Sequence, residues 1–355
     1  MRPPRYPIVL ALVCVACAHP TPTPPPGHGA PTSALRCPPL GVARGPASLE
    51  LLRLVEPDPS WSHMLSGLWF DARGERFLAV RDNAPALVAL RPDASFARWQ
   101  GDELPQPFGA HTSLEGITGS SAGLVVSDEE EGDAMPPGPH VFFTATGALL
   151  AVPEHFRRAR PNSGFEALSA TPDGATLLVA NERALTTDAD GVLRVLATEL
   201  SSRAQREYAY RLGPTAWADG DGDVGLSDFV ALSPRRLLAL ERAWRRDRGS
   251  SVRVFLAELS GDDVIARDTL AADTPVAAKT LLLDVATLPR DADIAAAAGQ
   301  PHPALGNYEG IAVGPCLPDG RRAVVLVTDD NDDSVRARGG VPQARRILVL
   351  AAAGL

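Results

Sequence analysis

Short apolar runs alternate with turn signals along most of this chain, and few of them are long enough to make a helix. Leu68-Trp69-Phe70 leads through Asp71-Ala72-Arg73-Gly74 into Phe77-Leu78-Ala79-Val80, and Ala86-Leu87-Val88-Ala89-Leu90 follows. Pro172-Asp173-Gly174 separates two further apolar runs, and Pro318-Asp319-Gly320 repeats the device before Ala323 to Val327. Proline presets φ for a turn and glycine accepts positive φ, so this chemistry between apolar runs predicts β-hairpins. More strands are predicted over Val141-Phe142-Phe143 and over residues 192–196, 252–256 and 346–350. Helix is predicted only over Leu200 to Tyr208 and Asp291 to Ala298.

One pattern returns five times. An apolar segment opens on an acid or its stand-in, a turn follows, and a second apolar segment closes in acid. The copies run from Ser66-Gly67-Leu68 to Arg81-Asp82-Asn83 and from Glu115-Gly116-Ile117 to Ser127-Asp128-Glu129. The next run from Glu166-Ala167-Leu168 to Asn181-Glu182-Arg183 and from Asp228-Phe229-Val230 to Glu241-Arg242. The last runs from Glu309-Gly310-Ile311 to Asp329-Asp330-Asn331. Self-similarity at such intervals marks a repeat architecture, and three or four strands per unit describe a propeller blade. The expected fold is all-β, a β-propeller of five to six blades with little helix, the sixth being a degenerate copy between Ala184 and Gly213. The first strand, Leu51 to Val55, is expected to complete the last blade. Residues 128–133, 219–223 and 257–278 read as insertions or irregular connections.

The N-terminus changes the domain reading. Arg2 and Arg5 precede the apolar run Ile8 to Ala16, which has secretory length and is too short to span a bilayer. Cys14-Val15-Ala16-Cys17 resembles a lipobox with cysteine where leucine is usual, so residues 1–16 read as a signal peptide of lipoprotein type. Residues 17–39 are a Pro-rich tether, and 40–355 form the propeller. The chain is expected to be exported, as an outer-membrane or periplasmic lipoprotein held only by a lipid on Cys17, or otherwise as a secreted protein. The formal net charge is −9, which argues against nucleic acid or an anionic membrane surface as partner. Cys37 and Cys316 remain in the globular region. In an oxidising compartment they predict a disulfide joining its two ends, the alternative being two buried thiols.

The recurrent acids carry the candidate chemistry. Hairpin topology predicts that Glu115 lies near Asp128, Glu166 near Glu182, Asp228 near Glu241 and Glu309 near Asp329. Two like charges about 6 Å apart repel by roughly 3 kcal/mol at an effective dielectric near 20. Converging carboxylates therefore protonate, pair with arginine, or hold a cation. Arg81, Arg183 and Arg242 each abut an acid and account for part of the charge. Oxygen donors without His or Cys favour Ca²⁺ over Mg²⁺, and a salt-bridged ring without metal is the alternative. Gly119-Ser120-Ser121-Ala122-Gly123 matches a nucleophile elbow literally, but a second strand follows where the elbow needs a helix. Residues 219–223 begin like an EF-hand, yet Val224 and Val230 stand where Gly and Glu are required. The histidines show no metal-ligand spacing.

Taken together, Leu65-Ser66-Gly67-Leu68, Leu114-Glu115-Gly116-Ile117, Gly164-Phe165-Glu166-Ala167-Leu168 and Leu226-Ser227-Asp228-Phe229 form an ordered series. Leu238-Ala239-Leu240-Glu241-Arg242, Lys279-Thr280-Leu281-Leu282, Asn307-Tyr308-Glu309-Gly310-Ile311 and Thr328-Asp329-Asp330-Asn331 continue it. The series resembles the bacterial phytase-like family, the "esterase-like activity of phytase" domain, over about 62–350. The resemblance implies a propeller-like fold and hydrolysis of phosphate esters, and it points to Glu115, Glu166, Asp228, Glu241, Glu309 and Asp329. Asp332 stands where the family usually has an aromatic, and Ser66 where the first repeat would carry an acid. The expected enzyme is a calcium-dependent phosphoester hydrolase. Glu115, Glu166, Asp228, Glu309 and Asp329 would hold cations, Arg81, Arg183 and Arg242 would grip phosphate, and Glu182 or Glu241 would act as base. The alternatives are a non-catalytic periplasmic or surface propeller that binds a ligand or protein, and a lactonase-type propeller hydrolase.

Overall fold

The computed structural model describes residues 37–41, 45–82, 86–105, 113–129, 138–214, 222–331 and 343–355. The proposed leader and most of the tether lie outside the described residues, as do most of the loops at 128–133 and 219–223. Twenty strands follow one another. β1 (Ser48–Val55) comes first, then β2 (Leu65–Asp71), β3 (Arg76–Arg81), β4 (Leu87–Pro92) and β5 (Trp99–Leu104). Next are β6 (Leu114–Ser120), β7 (Gly123–Asp128), β8 (His140–Phe143) and β9 (Ala148–Leu149), then β10 (Phe165–Ala170), β11 (Thr176–Asn181), β12 (Val192–Glu199) and β13 (Gln205–Arg211). The chain ends with β14 (Asp223–Ser233), β15 (Arg236–Arg245), β16 (Gly249–Glu258), β17 (Ala278–Asp284), β18 (Asn307–Cys316), β19 (Arg322–Asp329) and β20 (Ile347–Ala353).

These form five antiparallel four-stranded sheets, β2–β5, β6–β9, β10–β13, β14–β17 and β18–β20 with β1, which are blades 1 to 5 of a five-bladed propeller. The expected sixth blade is absent from 184–213 because those residues supply the two outer strands of blade 3. Outer strands carry no acidic motif, so they read as an unassigned gap. The helix expected over Leu200–Tyr208 is a turn followed by β13, where Val195 pairs with Tyr208 and Leu193 with Tyr210. That ladder overrides the local preference of Ala204, Gln205 and Arg206 for helix. No helix forms over 291–298, and the helical turns among the described residues are the 3₁₀ segments Glu154–Arg158 and Val285–Thr287.

The ring closes as the first apolar segment predicts. β1 pairs antiparallel with β20, placing Leu54 opposite Leu348 and Val55 opposite Ile347. Cys37 and Cys316 are joined in a disulfide at the far end of β18. The apolar runs are nearly continuous because both faces of each blade are buried. Alternate residues of one strand serve two different cores. On β3, Leu78 and Val80 pack with Ile117 and Val126 of blade 2, whereas Phe77 and Ala79 pack with Val325 and Val327 of blade 5. On β15, Leu238 and Leu240 face Ile311 and Leu326 of blade 5, and Leu237 and Ala239 face Leu178 and Tyr210 of blade 3. The insertion between β16 and β17 folds back, with Val264 and Leu270 packed on Val192 and Ala209 of blade 3.

Candidate metal centre on the propeller axis

Each innermost strand is bulged at its acidic motif. The ladder slips between Ser66 and Leu68, Leu114 and Ile117, Phe165 and Ala167, Leu226 and Asp228, and Tyr308 and Gly310. A bulge inserts one unpaired residue and re-aims its neighbours. The recurring geometry is thus set from the apolar residue just past it. Leu68 pairs with Ala79, Ile117 with Val126, Leu168 with Val179, Phe229 with Ala239 and Ile311 with Leu326. Two residues before those anchors stand Ser66, Glu115, Glu166, Ser227 and Glu309. Three residues beyond their partners stand Asp82, Glu129, Glu182, Arg242 and Asp329. Two tiers of five result, holding three and four carboxylates, seven in all, against one guanidinium.

These groups meet. Carboxylate oxygens of Glu115, Glu129 and Glu166 lie within 4.8 Å of one another, and all three side chains are buried. Ser66 Oγ donates to Glu115 Oε2 at 2.6 Å, and the Gly164 N–H donates to Glu129 Oε1 at 3.0 Å. Ser113 Oγ donates to Asp82 Oδ1 at 3.0 Å. Across the axis Arg242 binds Glu309 through Nη2 at 2.8 Å and Nε at 3.0 Å, and Glu182 through Nη2 at 3.2 Å. Arg183 approaches Glu182 at 3.3 Å and also pairs with Asp223.

Burial pushes the pKa of Glu115 well above the carboxylate range, with Asp82 and Glu129 adding repulsion. Burial does the same to Glu166, reinforced by Glu115 and Glu129, and to Asp329, reinforced by Glu309. Glu309 is pushed up to about 7 by burial, which Arg242 opposes. Burial works against the charge on Arg242, but Glu309, Glu182 and Glu166 outweigh it and raise its pKa. Oxygen ligands of one Ca²⁺ sit about 2.3–2.6 Å from the ion, so any two lie at most about 5.2 Å apart. The Glu115, Glu129 and Glu166 oxygens meet that limit, and a site without imidazole or thiolate suits a hard cation.

The bulges also correct the expected adjacencies. Asp128 pairs with Leu114 rather than joining Glu115, and it is Glu129, one residue on, that turns inward. Glu241 pairs with Leu226, while Asp228 pairs with Leu240, so those two acids do not meet as predicted. Glu241 instead accepts from Tyr210 Oη at 2.6 Å and the Gly213 N–H at 2.7 Å, and it pairs with Lys279, which lies over the Tyr210 and Phe255 rings. It braces blades 3 and 4. Arg81 binds Glu103 at 2.6 Å and the Trp61 carbonyl at 3.2 Å, within blade 1. Glu166 and Glu182, and Glu309 and Asp329, are neighbours as expected.

Asp228 is the largest departure from its expected ligand role. It aligns with Gly67, Gly116, Ala167 and Gly310, positions where the inner strands crowd together. A Cβ on Gly116 would meet Leu168 Cβ at 2.6 Å. The Asp228 carboxylate accepts the N–H of Phe229 at 2.8 Å and of Ile311 at 2.9 Å. Its oxygens therefore tie blades 4 and 5 together at the foot of the tiers. Sequence reasoning missed Asp82, Glu129, Ser66 and Ser227 as partners, and the glycine at the bulge was the signal that could have shifted the register.

The family model "Phytase-like: Esterase-like activity of phytase" matches residues 60–332, a span that contains all ten tier positions. No curated protein matches the sequence. Among solved structures, the chain is similar to regucalcin, a calcium-binding protein from Agrobacterium tumefaciens strain C58. The identity is 12% and the TM-score 0.38, over 86% of this chain and 98% of that one. It is also similar to a thermostable family-43 glycoside hydrolase, at 10% identity and TM-score 0.46 over 88% and 92% of the respective chains. A luciferin-regenerating enzyme aligns at 12% identity and TM-score 0.35 over 82% and 78%. With the family model covering most of the chain and every blade contributing to the tiers, the protein belongs to the phytase-like family.

Proposed function

We propose that the protein hydrolyses phosphate esters at the axial tiers with a bound calcium ion. One observation carries this reading: among the described residues the two tiers hold seven carboxylates and one guanidinium, and three of the carboxylates bring oxygens within 4.8 Å. At about 5 Å and an effective dielectric near 20, each such pair repels by roughly 3 kcal/mol. A site of that sign would also repel its substrate. Glu115, Glu129 and Glu166 would hold the ion, which when bound supplies the positive field that admits a phosphate and polarises its P–O bonds.

The chain supplies the rest. Arg242, fixed from two sides by Glu309 and Glu182, presents a rigid fork that can hold phosphate oxygens in charge-assisted bonds. Glu309 lies against that fork with a pKa of about 7. A proton acceptor near the working pH is what general base catalysis needs. Water attacks phosphorus, Glu309 takes one of its protons, the P–O bond to the alcohol breaks, and Glu309 passes that proton to the departing oxygen. Glu182 remains in the tier to orient Arg242, and Glu241 is withdrawn from the role of base by Lys279.

The test uses metal-stripped protein on 4-nitrophenyl phosphate with and without added Ca²⁺. Turnover is expected only with the ion, and Glu129→Gln should weaken calcium binding at least about tenfold, equivalent to about 1.4 kcal/mol, without unfolding the domain. Calcium-dependent stabilisation with no turnover would favour a non-catalytic binding propeller. Neither stabilisation nor turnover would end the reading.

A further inference from the structure

Blade 4 is taller than its neighbours on the acidic side. β15 and β16 each run 10 residues, against 6 and 8 for β11 and β12 and 8 and 7 for β19 and β20. The second strands of the other blades end at Arg81, Asp128, Asn181 and Asp329, at or just short of the tiers. β15 continues past Arg242, with Trp244 opposite Asp223 on one side and Ser250 on the other. At about 3.3 Å per residue this extension rises roughly 10 Å above Arg242.

One face of the extension is continuous with the site. Side chains two apart on a strand share a side, so Leu238, Leu240, Arg242 and Trp244 form a column. Leu238 and Leu240 lie in the core between blades 4 and 5, and Arg242 reaches Glu309 of blade 5. Trp244 is the next step out, roughly 6.6 Å along the strand, and it is partly exposed. Its ladder partners are polar and committed elsewhere. Asp223 pairs with Arg183, and Ser250 bonds to Gln300, with its N–H donating at 2.8 Å and its hydroxyl accepting at 2.9 Å. Trp244 belongs to none of the apolar clusters among the described residues. A large aromatic is thus carried directly above the anion-holding arginine without joining a core.

We propose that Trp244 determines specificity by stacking on an aromatic ring of the substrate, so that the preferred class is an aryl phosphate ester whose phosphate lies on Arg242. This rests on the phosphate-ester reading above. Stacking on indole is geometrically tolerant and needs only a π-face, whereas an aliphatic ester would leave Trp244 uncovered.

Titration of the calcium-loaded full chain with phenylphosphonate and methylphosphonate tests this, because neither has an ester bond to lose. Phenylphosphonate is expected to bind about tenfold more tightly, within the range of one aromatic stack. Trp244→Ala should abolish that preference and leave methylphosphonate affinity unchanged, and Trp244→Phe should retain most of the preference. Unchanged melting of both variants would show that the fold is intact. Equal affinity of the two phosphonates for the natural protein, or a preference that survives Trp244→Ala, overturns the assignment. If neither phosphonate binds, the phosphate site itself is wrong and this inference falls with it, a result distinct from equal binding.

Discussion

In the absence of divalent cations the protein should melt at lower temperature as the pH rises from 5 to 8, and calcium should cancel that decline. The sign follows from Glu309, whose folded-state pKa is about 7 against 4.5 in an exposed chain. Between those values the folded protein keeps a proton that the unfolded chain has lost, so raising the pH favours unfolding. Below the lower value both states are protonated and the effect vanishes. A difference of this size corresponds to about 3 kcal/mol, or roughly 5 °C in melting temperature for a domain of roughly 300 residues. Glu115, Glu166 and Asp329 are shifted in the same direction and add to the slope. His302 opposes it, because burial lowers its pKa and its contribution rises with pH. Calcium would replace the protons, so its stabilisation should be larger at pH 8 than at pH 5, with protons released on binding near pH 6.5. Calorimetry of metal-stripped and calcium-loaded protein at three pH values decides this, and Glu309→Gln should make the metal-free slope shallower. A metal-free melting temperature that is level or rises over this range would refute the account.

Much of this arrangement was legible in the residues. The five acid-flanked hairpins are the inner halves of the five blades, and the apolar run at Leu51–Val55 does lock the ring through β20. What composition could not reveal was register. A slip of one residue on a strand exchanges every side chain between its two faces, and the bulge beside each motif imposes that slip. Asp128 is therefore replaced at the axis by Glu129, Arg81 by Asp82 and Glu241 by Arg242, in each case the next residue along. Acid content misled equally at blade 4. Matching Asp228 to Glu115 and Glu309 aligned like charges, whereas the anchor Phe229 shows that Ser227 fills the tier and Asp228 takes the place of a glycine. The outer strands of blade 3 carried no motif at all, so they read as a missing blade.

Asp228→Ala should be the most damaging single substitution on the axis, and equally so with and without calcium. Removing the carboxylate strips the acceptor from two buried N–H groups, those of Phe229 and Ile311, and opens a void where the inner strands crowd together. Each orphaned donor costs about 1–3 kcal/mol, and the penalties overlap because the strands can relax together, so a total loss on the order of 5 kcal/mol is expected. For a domain of this size that corresponds to a fall of roughly 8 °C. Asp228→Asn keeps the shape but turns one acceptor into a donor that faces N–H groups, so it should recover little of the loss. The comparison across metal states separates the two roles this residue could play. A ligand matters only when the ion is bound, whereas a brace holds the blades in either state. Denaturant titrations of both variants, each metal-stripped and calcium-loaded, therefore carry the decision. Destabilisation confined to the calcium-loaded protein would return Asp228 to the ligand set, and an alanine variant melting within about 2 °C of the natural protein would remove it from the axis altogether.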